Sequence, residues 1–173
     1  MESIQYSLIL KSKDGLTQSG AAGNSAANVV NSDLTYFPNV YQIFSRIAGI
    51  HKCNHCKLEL AGVVFLAGAF NTLADGYDII VYVNGTMNTI QSTNSQHTEQ
   101  IIGAHNPTIT ALTTKASSGL AYTCPVYIQD LNNVTSIRIV LRDSMTGTDV
   151  GTVGGGIVPG AYSMMFRITP IFS

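Results

Sequence analysis

The sequence predicts an antiparallel all-β domain built from two packed sheets. Three observations carry this expectation. Apolar and polar residues alternate with period 2 in stretch after stretch, turn residues separate most of those stretches, and no segment holds a helical apolar spacing through three turns. The pattern is densest from Cys56 to Met87: CKLELAGVVFLAGAF, the turn NTLADG, then YDIIVYVNGTM. Lys57 and Glu59 alternate with Leu58 and Leu60, as in a half-buried strand. Val63 to Leu66 is continuously apolar, which predicts cover on both faces. Tyr77, Ile79, Val81 and Val83 repeat the alternation, and Asn84-Gly85 is a strong hairpin signal returning the chain through Met87 to Ile90. These stretches read as two strands of one buried sheet.

The remaining elements follow in order. Ile4, Tyr6, Leu8 and Leu10 point one way and Gln5, Ser7 and Lys11 the other, giving a first strand that Asp14-Gly15 breaks. Residues 15–33 are Gly, Ala, Ser and Asn with few large apolar side chains, so they read as a long loop or arm that has little to bury by itself. Leu34 to Phe37 is a short strand ended by Pro38. Val40 to Ile47 reads as another, with Tyr41, Ile43 and Ile47 set against Gln42 and Arg46. Residues 91–107 form a polar connection with a helical turn near Thr98 to Ile102. Thr108 to Thr114 is Thr-rich and β-branched, hence a strand. Ala121 to Gln129 is a strand whose Pro125 marks an edge or bulge. In Val134 to Arg142, Ile137, Ile139 and Leu141 face inward and Ser136, Arg138 and Arg142 outward. After a glycine-rich loop, the last strand sets Tyr162, Met164, Phe166 and Ile168 against Ser163, Arg167 and Thr169. The total is seven to nine strands in a single domain over residues 1–173.

Composition bounds the function. A chain of 173 residues buries roughly 70 % of its unfolded surface and needs no staples. Its charged fraction is 11 % and its net charge −1, so charge repulsion does little to keep copies apart. Low charge suits a surface covered by neighbouring subunits or facing an extracellular medium. The nine Lys and Arg are scattered, without the basic stripe that grips phosphates, so direct nucleic-acid binding is not expected. The apolar run Leu60 to Phe70 is 11 residues long, short of the about 20 of a membrane-spanning helix. Glu2 and the absence of a basic n-region predict no secretory signal. This weakens the glycosylation sequons at Asn84 and Asn133.

One cluster suggests chemistry: HKCNHC, with His51, Cys53, His55 and Cys56. Two thiolates in C-x-x-C spacing and two imidazoles could ligate zinc. Six consecutive residues rarely wrap one ion, however. If the stretch is extended, His51, Cys53 and His55 share a face that Cys56 does not. Further ligands would have to come from His97, His105 or Cys124, with no recognisable spacing. The plainer reading is a polar turn with reduced thiols, and the site expectation is no metal, with these four residues as weak candidates. Cys124, between Tyr122 and Val126, reads as a core thiol. Gly151 to Gly156 (GTVGGG) lacks the Lys-Ser/Thr ending of a phosphate loop. Asp75, Asp78, Asp143 and Asp149 form no calcium-loop array. Neither a G-x-S-x-G elbow nor a paired-carboxylate motif is present, so no catalytic residue and no cofactor is expected. Arg138, Arg142 and Arg167 line outward positions, as a solvated face or as an inter-subunit contact, where Arg is enriched.

The order of these features resembles the single jelly-roll proteins of icosahedral virus shells. The resemblance lies in a Gly/Ala/Ser segment near the N-terminus, about eight strands, long polar loops and a last strand running from Tyr162 to Phe172. It implies an eight-stranded single jelly roll in which Ile4–Leu10 lies beside Tyr162–Ile168. It also implies a non-enzymatic capsid protein located in the virion. Unlike small RNA-virus coat proteins, this chain has no basic arm, which favours a vertex (penton) or minor shell component, or a spike, in a virus whose genome is packaged without this subunit. Its partners would be further copies, in a pentamer, and other capsid proteins. The alternative is an extracellular ligand-binding jelly roll, either a TNF- or C1q-like trimer or a lectin-type sandwich that presents Asn71, Asp75 and Tyr77 to sugars.

Overall fold

The computed structural model describes residues 4–16, 33–37, 39–65, 77–83, 86–87, 101–105, 117–118, 120, 122–143 and 162–172. Among them the strands are β1 (Tyr6–Lys11), β2 (Asp33–Tyr36), β3 (His55–Phe65), β4 (Tyr77–Val83), β5 (Thr86–Met87), β6 (Ile101–His105), β7 (Ser117–Ser118), β8 (Tyr122–Thr123), β9 (Val126–Ile128), β10 (Ile137–Asp143) and β11 (Tyr162–Ile171). A helix, α1 (Asn39–His51), lies between β2 and β3, and 3-10 turns occupy Ser12–Asp14 and Leu131–Asn133.

The strands form two antiparallel sheets. The first runs β1-β11-β3-β9-β5, with β7 also paired to β3; the second runs β2-β10-β4-β6-β8. Setting aside the two-residue strands β5, β7 and β8 leaves eight. Numbered along the chain, these eight lie in the orders 1-8-3-6 and 2-7-4-5. Only the fourth and fifth are successive strands in one sheet; every other step crosses between sheets. That wrapping is the jelly roll. The first and last strands lie side by side, from Tyr6 opposite Ile168 to Lys11 opposite Ser163.

The core fills the space between the sheets. Phe166, Met164 and Leu58 from the first sheet and Ile79, Ile137 and Ile139 from the second are fully buried. The period-2 expectations for β1, β3, β10 and β11 hold because each strand has one face on this core. Tyr36 on β2 and Tyr162 on β11 also reach it, and the Tyr36 hydroxyl donates to the Tyr162 hydroxyl at 2.8 Å, joining the sheets through a buried polar contact. Buried Ser12 accepts from the Tyr162 backbone N–H through its Oγ at 3.0 Å.

Several expectations are corrected. Val40 to Ile47 lies in α1, a helix of 13 residues, not in a strand. Its buried residues Val40, Phe44, Ile47 and Ala48 stand at i, i+4, i+7 and i+8, one helical face. The alternation of Tyr41 with Gln42 was a coincidence on the opposite, exposed face. Lys52, at φ 50°, ends the helix in the left-handed region. The two stretches within Cys56–Met87 fall in different sheets, β3 in the first and β4 in the second. Asn84-Gly85 lies outside the described residues, but β5 pairs with β9 and not with β4. β10 runs along one edge of β4 from Tyr77 to Val83, and β6 pairs with Tyr77 to Ile80 on the other.

Val64 is exposed, so β3 keeps alternating where cover on both faces was expected. Residues 101 and 102, assigned to a helical turn, begin strand β6. Ala121 to Gln129 is two strands in two sheets: Cys124 and Pro125 sit at the crossing from β8 to β9, and Cys124 is only half-buried. In the 15–33 segment, Leu16 and Thr35 exchange two backbone hydrogen bonds of 2.8 Å, fastening the start of the segment to the edge of β2. Residues 17–32 lie outside the described residues, as do residues 108–114 and 144–161.

Candidate functional site

The His51–Cys56 turn is fixed by α1 and β3; Cys53 and Cys56 turn into the core, whereas His51 is half-buried and His55 exposed. His51, in the last turn of α1, shares a hydrogen bond through Nε2 with the Tyr6 hydroxyl and meets the rings of Tyr6 and Phe172 edge-on, at centroid distances of 5.5 and 5.9 Å. It ties the helix end to the start of β1 and the end of β11. Cys53 is buried and Cys56 fully so, while His55 is exposed at the mouth of β3. Burial pushes the Cys53 thiol up, against the lowering effect of backbone hydrogen bonds at Cys53 and His55. Burial pushes Cys56 up to about 12, with a smaller contribution from charge on Cys53. Thiols held protonated are poor nucleophiles. Among the described residues, no three His, Cys, Asp or Glu side chains are gathered as metal ligands require. His97, Asn71, Asp75, Asp149 and Gly151–Gly156 lie outside the described residues, as do the side chains of Tyr77, His105 and Asp143.

The turn is also anchored to neighbouring elements. Asn54 accepts the Leu131 backbone N–H at 3.1 Å, and Asp130 caps the 3-10 turn by accepting the Asn132 backbone N–H at 3.2 Å. Leu131 and Val134 are fully buried in the core, and the 3-10 turn packs against α1.

On the outer face of the second sheet, Arg138 makes a two-pronged contact with Asp33: Nε donates to Oδ1 at 2.8 Å and Nη2 to Oδ2 at 2.6 Å. The guanidinium also stacks over the Tyr82 ring, 4.9 Å from its centroid. Arg138 is thus engaged within its own sheet. Beside it Ile80, Ile101 and Val140 form a second buried apolar cluster.

The outer face of the first sheet is different. Ile9, Met165 and Val64 project from it, 57 %, 41 % and 37 % exposed, and Tyr127 is exposed near its far edge. Strand register sets Ile9 beside Met165 and Met165 beside Gly62, where an added Cβ would meet nothing within 4 Å. The next row holds Ser7, Arg167 and Glu59. Glu59 pairs with Lys57 at 3.1 Å, and Arg167 is exposed. The Thr169 hydroxyl on this face is shielded from solvent and has no hydrogen-bond partner among the described residues. Exposed aliphatic side chains on a sheet face suit contact with another surface better than bond-making.

Among the three arginines singled out in the sequence, Arg138 and Arg142 share one face and Arg167 lies on the other sheet. Ile9 and Met165 were missed. Their signal was present, since Ile9 falls between Ser7 and Lys11 on the polar side of the alternation.

No helix among the described residues is long and apolar enough to cross a membrane. No protein-family model matches the sequence, and no curated protein matches it significantly.

Proposed function

We propose that this chain is a structural, non-catalytic subunit that self-associates in an icosahedral virus shell, as a vertex (penton) or minor component. The observation that carries this reading is the outer face of the first sheet, where aliphatic side chains stand exposed on a chain whose charged fraction is 11 %. Burying the Ile9, Met165 and Val64 side chains against a neighbour gains the hydrophobic term, with the Lys57–Glu59 pair and Arg167 of the same face needing solvent or partners at the contact. The jelly-roll order supports the reading without selecting it, because sandwiches serve many functions. In this proposal copies pack around a rotation axis into a closed ring, five-fold in the form we favour, and the ring meets other capsid proteins in the virion. Nucleic acid is not a direct partner, since the positive charges are few and dispersed.

The test is the assembly state of purified protein, by light scattering after size exclusion and negative-stain microscopy of the peak. Rings of five, or shell-like particles, are the expected result. A compact trimer that gains thermal stability with a glycan or protein ligand would replace this proposal with the ligand-binding alternative. A monomer at high concentration would remove it.

A further inference from the structure

We propose that β1 is a docking edge for a second copy of this chain, and that two copies join antiparallel at their β1 strands into one continuous sheet. A sheet edge carries unpaired N–H and C=O groups, and proteins blunt it by shortening, covering or charging the strand. Among the described residues, three of the four sheet ends are short or covered. The ends at β5 and β8 are two residues long, and β2 is covered by the paired hydrogen bonds of Leu16 with Thr35. The fourth end, β1, has six residues, YSLILK, with no proline and one charge at its last position. No described residue pairs with it on the side away from β11.

The choice of a second copy, over a foreign peptide, rests on self-complementarity. An antiparallel β1 pair centred on Ile9 sets Ile9 opposite its twin, Leu8 opposite Leu10 and Ser7 opposite Lys11. No like charges meet. On the outer face the row becomes Met165, Ile9, Ile9, Met165, four apolar side chains running unbroken across the junction. Leu8 and Leu10 already lie in the core of each copy, so the junction needs no change inside the subunit.

The test uses the full chain with single cysteines introduced on the outer face, and wild type as the background for its native thiols. In an Ile9→Cys variant the two sulfurs meet across strands whose directly opposed Cα atoms stand about 5 Å apart, within disulfide range. Two Met165→Cys sites would be about 14 Å apart, three strand spacings, and out of range. Mild oxidation is expected to convert Ile9→Cys to a covalent dimer and to leave Met165→Cys as wild type. An Ile9→Lys variant, which sets two ammonium groups face to face, is expected to weaken dimerisation at least about tenfold by light scattering, with unchanged thermal unfolding. Cross-linking of Met165→Cys without Ile9→Cys would overturn the inference, because the sheets would then be packing face to face. So would an Ile9→Cys protein that stays monomeric and unlinked. The inference stands apart from the shell proposal. Dimers linked at Ile9 that build nothing larger would support it and count against the shell, whereas shells whose Ile9→Cys subunits fail to link would overturn it alone.

Discussion

The Tyr36–Tyr162 contact shows how one buried pair of hydroxyls sets a pH limit. Burial is the main cause that raises both phenols above their ordinary value of 10.0; for Tyr162 the neighbouring Tyr36 adds to it, whereas for Tyr36 the hydrogen bond to Tyr162 offsets part of the rise. Below pH 10 both are neutral whether folded or unfolded, and the pair contributes fully. Above it the unfolded chain loses protons that the folded chain keeps, so stability falls as pH rises, by about 1.4 kcal/mol per pH unit for each phenol. The buried thiols act in the same direction from about pH 9, their ordinary value being 9.0. Denaturant melts from pH 8 to 11.5 should show this decline. Tyr36→Phe should make it shallower by about one phenol's share, while costing about 1 kcal/mol at pH 7 for the lost hydrogen bond. A decline equally steep in both proteins would remove the account.

Helix α1 carries the clearest lesson about what a sequence of this kind discloses. β1, β3, β10 and β11 were legible because each lies half on the core, and a half-buried strand must alternate. The residues of α1 satisfy a helical and an alternating template together over a short window. Only the burial of Phe44 and Ala48 on one side decides between them, and burial is a property of the assembled sandwich. The same cause misplaced β5: Asn84-Gly85 is a local signal, whereas the pairing of Thr86 and Met87 with β9 joins strands distant in sequence. The candidate surface was half-legible. Outward positions could be assigned by parity on β1 and β11, but exposure on the outer face of one sheet and burial on that of the other could not. Two substitutions test the helix assignment. Phe44→Ala should cost about 3–5 kcal/mol by opening a cavity at a fully buried position, whereas Tyr41→Ala, on the exposed face, should stay within about 0.5 kcal/mol. Equal costs at the two positions, read from chemical unfolding, would contradict the helical face.

At the scale of the whole molecule, low charge and an apolar outer sheet face determine how association should respond to its medium. Assembly through such a face should persist or strengthen when salt rises from about 50 to 500 mM, because screening removes little and apolar burial is not weakened. Light scattering across that range tests it, and dissociation at high salt would mean that ion pairs hold the copies together. The pairing of β1 with β11 has a further consequence, for the order of events during synthesis. β11 occupies the place between β1 and β3. A nascent chain emerging from the ribosome therefore carries both flanking strands long before the strand that fits between them exists. The first sheet cannot close until Tyr162–Ile171 has been made, and closing it joins residues separated by nearly the whole chain, a step slowed by loop entropy. β11 is the strand that joins β1 to the rest of its sheet, so a chain stalled before it exposes apolar edges to its neighbours on the same message.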